Sequence, residues 1–257
     1  MLMRKVLSFI ISILPVFVFG QADNEIQVYS SPITQNGVTF FELHSNYTFN
    51  GIKYLPDPSI ARYVNESVEI THGLGGNFEI GVYFFTGFVP HGGYQYLGSH
   101  IRPRITVPEK WKWPFGASLS VEFGFIRPNK DSNFVWDGEI RPIIDKDLGN
   151  WYLSFNPNIE FVSSGNNKDF ELTPQFKAVY TINGKFGIGL EYYSTLGTFK
   201  KLLPVDDEGD LLGPMIDIYC LKDWELNSGF LFGLTKNSNQ AIFKLLIGHR
   251  FAKKSSK

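Results

Sequence analysis

Phe115-Gly-Ala-Ser-Leu-Ser-Val-Glu-Phe-Gly-Phe125 is the stretch whose reading decides the fold. Phe115, Ala117, Leu119, Val121, Phe123 and Phe125 share one side of an extended chain, and Gly116, Ser118, Ser120, Glu122 and Gly124 share the other. Successive side chains of a strand point to opposite faces, whereas a helix would scatter these residues around its axis. The stretch therefore reads as a strand with one wholly apolar side. Segment 151–161 sorts the same way, with Trp151, Leu153, Phe155, Pro157, Ile159 and Phe161 opposing Tyr152, Ser154, Asn156, Asn158 and Glu160.

Outward from this stretch, period-two segments recur twelve times, at 38–49, 62–72, 77–88, 94–107, 115–126, 133–144, 150–163, 169–182, 185–196, 211–221, 224–235 and 240–251. They are long for soluble strands, where about five or six residues is typical. At about 3.3 Å per residue and a tilt of about 40°, eleven residues rise roughly 28 Å, close to the thickness of a bilayer's hydrocarbon layer. The links after even-numbered segments are 73–76, 108–114, 145–149, Asn183-Gly184 and 222–223. The links after odd-numbered ones include the longest, 50–61 and 197–210. Short turns at one end and long loops at the other suit an outer-membrane barrel, with the turns periplasmic. On that orientation Trp111, Trp113, Trp151 and Trp224 fall at the periplasmic boundary, and Tyr47, Phe49, Trp136 and Tyr192 at the outer one. Amphipathic rings gather at such interfaces. A soluble β-sandwich also alternates, but its strands should be shorter and its turns less asymmetric. The fold expected is all-β: an up-and-down antiparallel transmembrane β-barrel of about 12 strands.

Composition agrees. Of the 257 residues 43% are hydrophobic and 19% charged, and the formal net charge is −1. There is no basic excess to serve nucleic acid. One Cys supports neither an internal disulfide framework nor a cysteine-rich zinc site. Residues 1–22 read as a signal peptide, with Arg4 and Lys5 before the apolar run Val6 to Phe19, and Gly20 and Ala22 near the cleavage point. That run is short of the roughly twenty residues a spanning helix needs. Residues 23–37 then form an N-terminal periplasmic segment, 38–251 the barrel, and 252–257 a polar C-terminal tail.

In such a barrel the apolar faces meet lipid and the polar faces meet the lumen. The lumenal set holds Glu42, Glu69, Glu79, Glu122, Asp137 and Glu139, then Glu160, Glu171, Glu191, Asp217 and Glu225. Its cations are Arg102, Arg104, Arg141, Lys177, Lys244 and Arg250, with His44 and His100 beside them. Eleven acids against six cations leave an acidic interior. The set fits either a cation-favouring pore or a salt-bridge network that fills the lumen. On the first four strands Glu79 is expected to pair with Arg102 or Arg104, leaving Glu42 and Glu69 to face water or distant cations.

No catalytic, cofactor-binding or metal-ligating set is legible. His44-Ser45-Asn46 suggests a hydrolase, but His44 and Ser45 point to opposite faces of a strand and cannot share a proton. Asp206, Asp207, Glu208 and Asp210 cluster without EF-hand spacing, and read as a solvated loop. Cys220 falls on the lipid face of the tenth segment.

Several strings carry a resemblance: Glu25-Ile-Gln-Val-Tyr29, Phe41-Glu-Leu-His-Ser-Asn-Tyr47, Leu119 to Gly124, Ile140-Arg-Pro142, Gly189-Leu-Glu-Tyr-Tyr193 and Ile247-Gly-His-Arg-Phe251. Together they resemble a poorly characterised family of bacterial outer-membrane β-barrels, often labelled as transporters and similar to barrels linked to phenol degradation. The resemblance implies a channel or transporter for small solutes, with outer-membrane lipid as its surroundings and no catalytic residues. The alternative is a non-transporting structural or surface-interaction barrel. Barrels of this class often finish on an aromatic residue; here Ala252 to Lys257 follow Phe251.

Overall fold

The computed structural model describes residues 25–52, 63–89, 93–127, 133–163 and 169–252. The signal-peptide reading, most of the loop at 50–61 and the end of the C-terminal tail lie outside the described residues. Within them the strands are β1 (Val38–Ile52), β2 (Tyr63–Gly75), β3 (Phe78–Val89), β4 (Gly93–Thr106), β5 (Gly116–Ile126), β6 (Val135–Leu148), β7 (Trp151–Ser163), β8 (Phe170–Ile182) and β9 (Phe186–Tyr193). A two-residue pair follows, β10 (Gly197–Thr198) and β11 (Lys201–Leu202), and then β12 (Leu211–Ile218), β13 (Trp224–Gly233) and β14 (Asn239–Ala252). Each long strand pairs antiparallel with its sequence neighbour, and β1 pairs with β14 from Val38↔Ala252 to Ile52↔Asn239. The twelve long strands therefore form a closed barrel with no free edge, which is how a sheet satisfies its backbone in lipid.

The faces sort as the alternation requires. Leu119, Phe123 and Phe125 on β5 are exposed on the outside, while Ser118, Ser120 and Glu122 are buried within. Outward rings ride at both ends. Trp111, Trp113, Trp151 and Trp224 mark the end with short turns, and Tyr47, Phe49 and Trp136 mark the other. Hydrocarbon would be the natural solvent for such a band, and it identifies a membrane-spanning barrel of the outer-membrane type.

Turn chemistry explains the hairpins. Asn183 and Gly184 hold φ of 50° and 64°, the left-handed region that tight hairpin turns demand, and Lys185 N–H donates to the Ile182 carbonyl at 3.1 Å. The ninth strand breaks after Tyr193, facing Pro174 of β8. Proline has no N–H for the ladder. Its carbonyl still accepts the Ser194 N–H at 3.1 Å, and pairing with β8 resumes at β10, Gly197↔Leu172.

Three expectations need correction. The 145–149 link is mostly strand, because β6 runs on to Leu148. Cys220 lies in the 219–223 turn after β12 rather than on a lipid-facing strand, because pairing with β9 and β13 stops at Ile218. The acidic loop is solvated only in part: Asp206 is exposed and Asp207 pairs with Lys236 at the surface, but Asp210 is buried and accepts the Ser194 hydroxyl at 2.6 Å.

Candidate functional site: a lumen occupied by the N-terminal segment

The sequence separated residues 23–37 from the barrel as a periplasmic segment. In the structure residues 25–36 run inside the barrel. The segment enters at the short-turn end beside β2, where Gly37 N–H donates to the Gly73 carbonyl at 2.9 Å and Asn36 bridges to Gly73. Only glycine fits at 73, since a Cβ there would stand 2.1 Å from the Gln35 carbonyl oxygen.

From there the segment climbs the lumen on hydrogen bonds from the wall. Thr34 N–H donates to Glu79 at 2.6 Å, and Ser31 donates to Asp145 through its N–H (2.5 Å) and its hydroxyl (2.7 Å). Arg104 donates to the carbonyls of Ser30 and Pro32. Tyr29 N–H donates to Asn156 Oδ1 at 2.7 Å, and its carbonyl accepts from Ser154 at 2.6 Å. An extended segment cannot satisfy its own backbone, so these wall groups do it instead. Those involving Glu79, Asp145 and Arg104 are charge-assisted and of the stronger kind.

Tyr29 is the centre of the site. Its ring lies beneath three guanidiniums, Arg141 at 4.3 Å, Arg102 at 5.4 Å and Arg104 at 5.6 Å. Its hydroxyl meets Glu25, Glu69 (3.3 Å) and the Tyr83 hydroxyl (2.7 Å). Tyr83 continues a column of rings to Phe85 and His100. Above Tyr29 the segment turns apolar. Ile26 and Val28 pack on Tyr193, Leu211, Leu231 and Ile242 of the wall. Burying such side chains stabilises by roughly 1.5–3 kcal/mol each.

Most of the lumenal residues read from sequence are buried, while Glu225 and Arg250 are half-exposed. Most of them fall into three ion clusters, with a further pair at the rim. On β2 to β4, Arg102 joins Glu79 (3.0 Å) and also Glu69, while Arg104 stands 3.6 Å from Glu79. Of the two expectations for Glu69, water or a distant cation, the cation holds, because Arg102 on β4 is long enough to reach both Glu79 on β3 and Glu69 on β2. Glu42 keeps one buried oxygen without a hydrogen bond among the described residues. On β4 to β8, His100 is held between Glu122 (2.6 Å) and Asp137 (2.8 Å), Arg141 grips Glu139 (2.5 Å), and Glu160 accepts from Thr173 (2.7 Å). On the far wall Lys244 bonds Glu191 at 2.5 Å, and Lys177 spans Glu191 (3.4 Å) and Asp217 (3.0 Å). Arg250 and Glu225 form a half-exposed pair at the short-turn rim, with Arg250 stacked 4.0 Å from the Phe40 ring centre.

Sequence reasoning missed Asp145, Tyr83, Ser154 and Asn156 as partners of the segment. The signal for Asp145 was present: it continues the inward series Arg141, Ile143, Asp145. The polar run Asp145-Lys-Asp147 read as a turn instead. The lumen also holds inward apolar residues, Ile143, Val179, Leu231, Ile242 and Leu246, all nearly fully buried.

No family model and no curated protein matches this chain. Solved structures do. The COG4313 outer membrane channel from Pseudomonas putida F1 superposes with a TM-score of 0.61 at 12% identity, over 88% of this chain and 100% of that one. The KdgM porin superposes with a TM-score of 0.52 at 12% identity, over 83% and 99%. At these identities the likeness is one of fold: this chain shares the outer-membrane β-barrel architecture of those two proteins.

Proposed function

We propose that this chain is an outer-membrane channel for small solutes, closed in the present state by its own N-terminal segment. The observation that carries the reading is the way the lumen is filled. The obstruction is a separate extended segment, seated by hydrogen bonds from charged and polar wall groups, rather than by wall side chains alone. Twelve strands enclose more interior than the eight that side chains just fill. Withdrawing residues 25–36 toward the short-turn end, which this reading places in the periplasm, would bare Glu79, Asp145, Arg104 and Asn156 to water. The acidic excess of the wall would then favour cations.

Planar-bilayer recordings of the intact chain and of a variant lacking residues 25–34 test this. The shortened chain should conduct more, and its reversal potential should show cation preference. A second reading, a non-conducting structural barrel, is favoured by the close packing of Ile26 and Val28 against the wall. It stands if neither protein conducts.

A further inference from the structure

His44 occupies an unusual position. It is 1% exposed, and neither ring nitrogen has a hydrogen-bond partner among the described residues. Buried imidazoles normally satisfy both nitrogens, because leaving one unmade costs about 1–3 kcal/mol. Its nearest carboxylate oxygen is Glu69 Oε2, at 3.9 Å. Arg102 takes the other oxygen, Glu69 Oε1, and the Tyr29 hydroxyl stands 3.3 Å from Oε2. A carboxylate oxygen of Glu25, on the inserted segment, completes a cluster in which all three atoms lie within 4.8 Å of one another.

The placement follows from the fold. Register pairs Glu42 with Glu69 and His44 with Ser67, so His44 and Glu69 are diagonal neighbours on the inner face of β1 and β2. Glu25 reaches them because Tyr29, four residues on, anchors the segment and its hydroxyl meets the Glu25 carboxylate. Glu25 and Glu69 both meet the Tyr29 hydroxyl, which carries a single proton. Glu42 adds a third carboxylate beside them. Glu25, Glu69, Glu79 and Glu139 face three guanidiniums, Arg102, Arg104 and Arg141, and Glu42 keeps a buried oxygen with no hydrogen bond among the described residues.

We propose that His44 Nε2, Glu69 Oε2 and a Glu25 carboxylate oxygen form a site for a divalent transition-metal cation of the zinc class, tying the N-terminal segment to the barrel wall. Imidazole among the ligands favours zinc over calcium or magnesium. Around tetrahedral zinc, donor atoms at about 2.1 Å stand roughly 3.4 Å apart, so side-chain rotation of about 1 Å closes the site and leaves a fourth position for water. The ion would hold the segment in the lumen. That consequence rests on the channel reading, whereas binding itself does not.

The test is equilibrium dialysis against zinc, with metal counted by mass spectrometry, on the protein purified from membranes and stripped with chelator. Wild type should retain one zinc per chain. His44→Gln and Glu25→Gln should each weaken binding ~10-fold or more, the size of effect that losing support at a metal site produces. His249→Gln, at the far rim beside Trp224, should bind like wild type. Glu25 is outside the strands, so Glu25→Gln leaves the barrel ladder intact even where His44→Gln disturbs folding. The proposal is overturned if wild type retains no zinc, or if Glu25→Gln retains as much as wild type. Either result leaves the channel reading to be judged by its own conductance test.

Discussion

Tyr29→Ala should release the N-terminal segment while sparing the barrel. The ring is 5% exposed and lies under Arg141, Arg102 and Arg104. Truncating a buried large aromatic to alanine costs about 3–5 kcal/mol, and a desolvated guanidinium on a ring contributes about 2 kcal/mol of that order. The twelve-strand ladder contains no atom of Tyr29, so the loss falls on docking of the segment. At about 1.4 kcal/mol per factor of ten, even the lower figure of about 3 kcal/mol shifts the docked-to-released ratio by on the order of a hundredfold. Tyr29→Phe keeps the ring and removes only the hydroxyl bonds to Glu25, Glu69 and Tyr83. It should cost about 1 kcal/mol, or roughly fivefold. The assay is limited proteolysis of the folded barrel in detergent, following cleavage within residues 25–36 against time, with the melting temperature measured alongside. Cleavage should accelerate strongly for Tyr29→Ala and mildly for Tyr29→Phe. If Tyr29→Ala is cleaved at the wild-type rate, the segment is not held by this ring and the account of docking is wrong.

Three further outcomes are expected. Leu119→Arg and Phe155→Arg place a cation on the outward face, where each side chain is more than two-fifths exposed, and should each destabilise refolding into lipid by ~2–4 kcal/mol in denaturant titrations. Lys244→Met leaves Glu191 with Lys177 at 3.4 Å as its one remaining cation and the Tyr193 hydroxyl at 2.8 Å, and should cost about 3–5 kcal/mol, seen as a lowered melting temperature; an unchanged midpoint would show that Lys177 and Tyr193 suffice. A peptide tag inserted at the Phe199–Lys200 hairpin tip should be labelled on intact cells, and one at Asn183-Gly184 should not, with the reverse pattern inverting the orientation.

The strands, their number and their two faces were legible in the sequence because each rests on period-two alternation, a property of neighbouring residues. Phe115 to Phe125 needs no distant partner to show which side is apolar. Asn183-Gly184 likewise shows its turn by local backbone chemistry alone. The lumenal charges were legible for the same reason, as the polar half of each alternation. Their pairing was not: Arg102 reaches Glu69 across 33 positions, and whether it does depends on register and side-chain reach.

The inserted segment was beyond any local reading. Glu25-Ile-Gln-Val-Tyr29 is short and carries no cation to advertise its ionic partners. Its groups are met by residues far along the chain, Asn156 at 127 positions from Tyr29 and Asp145 at 114 from Ser31. Those residues become neighbours only when β14 pairs with β1 and closes the wall around a common interior. Glu25, His44 and Glu69 converge for the same reason. Alternation by itself determined a membrane barrel with a polar inside; closure of the sheet decided what that inside contains, because only closure gives distant strands one shared, water-poor space to fill.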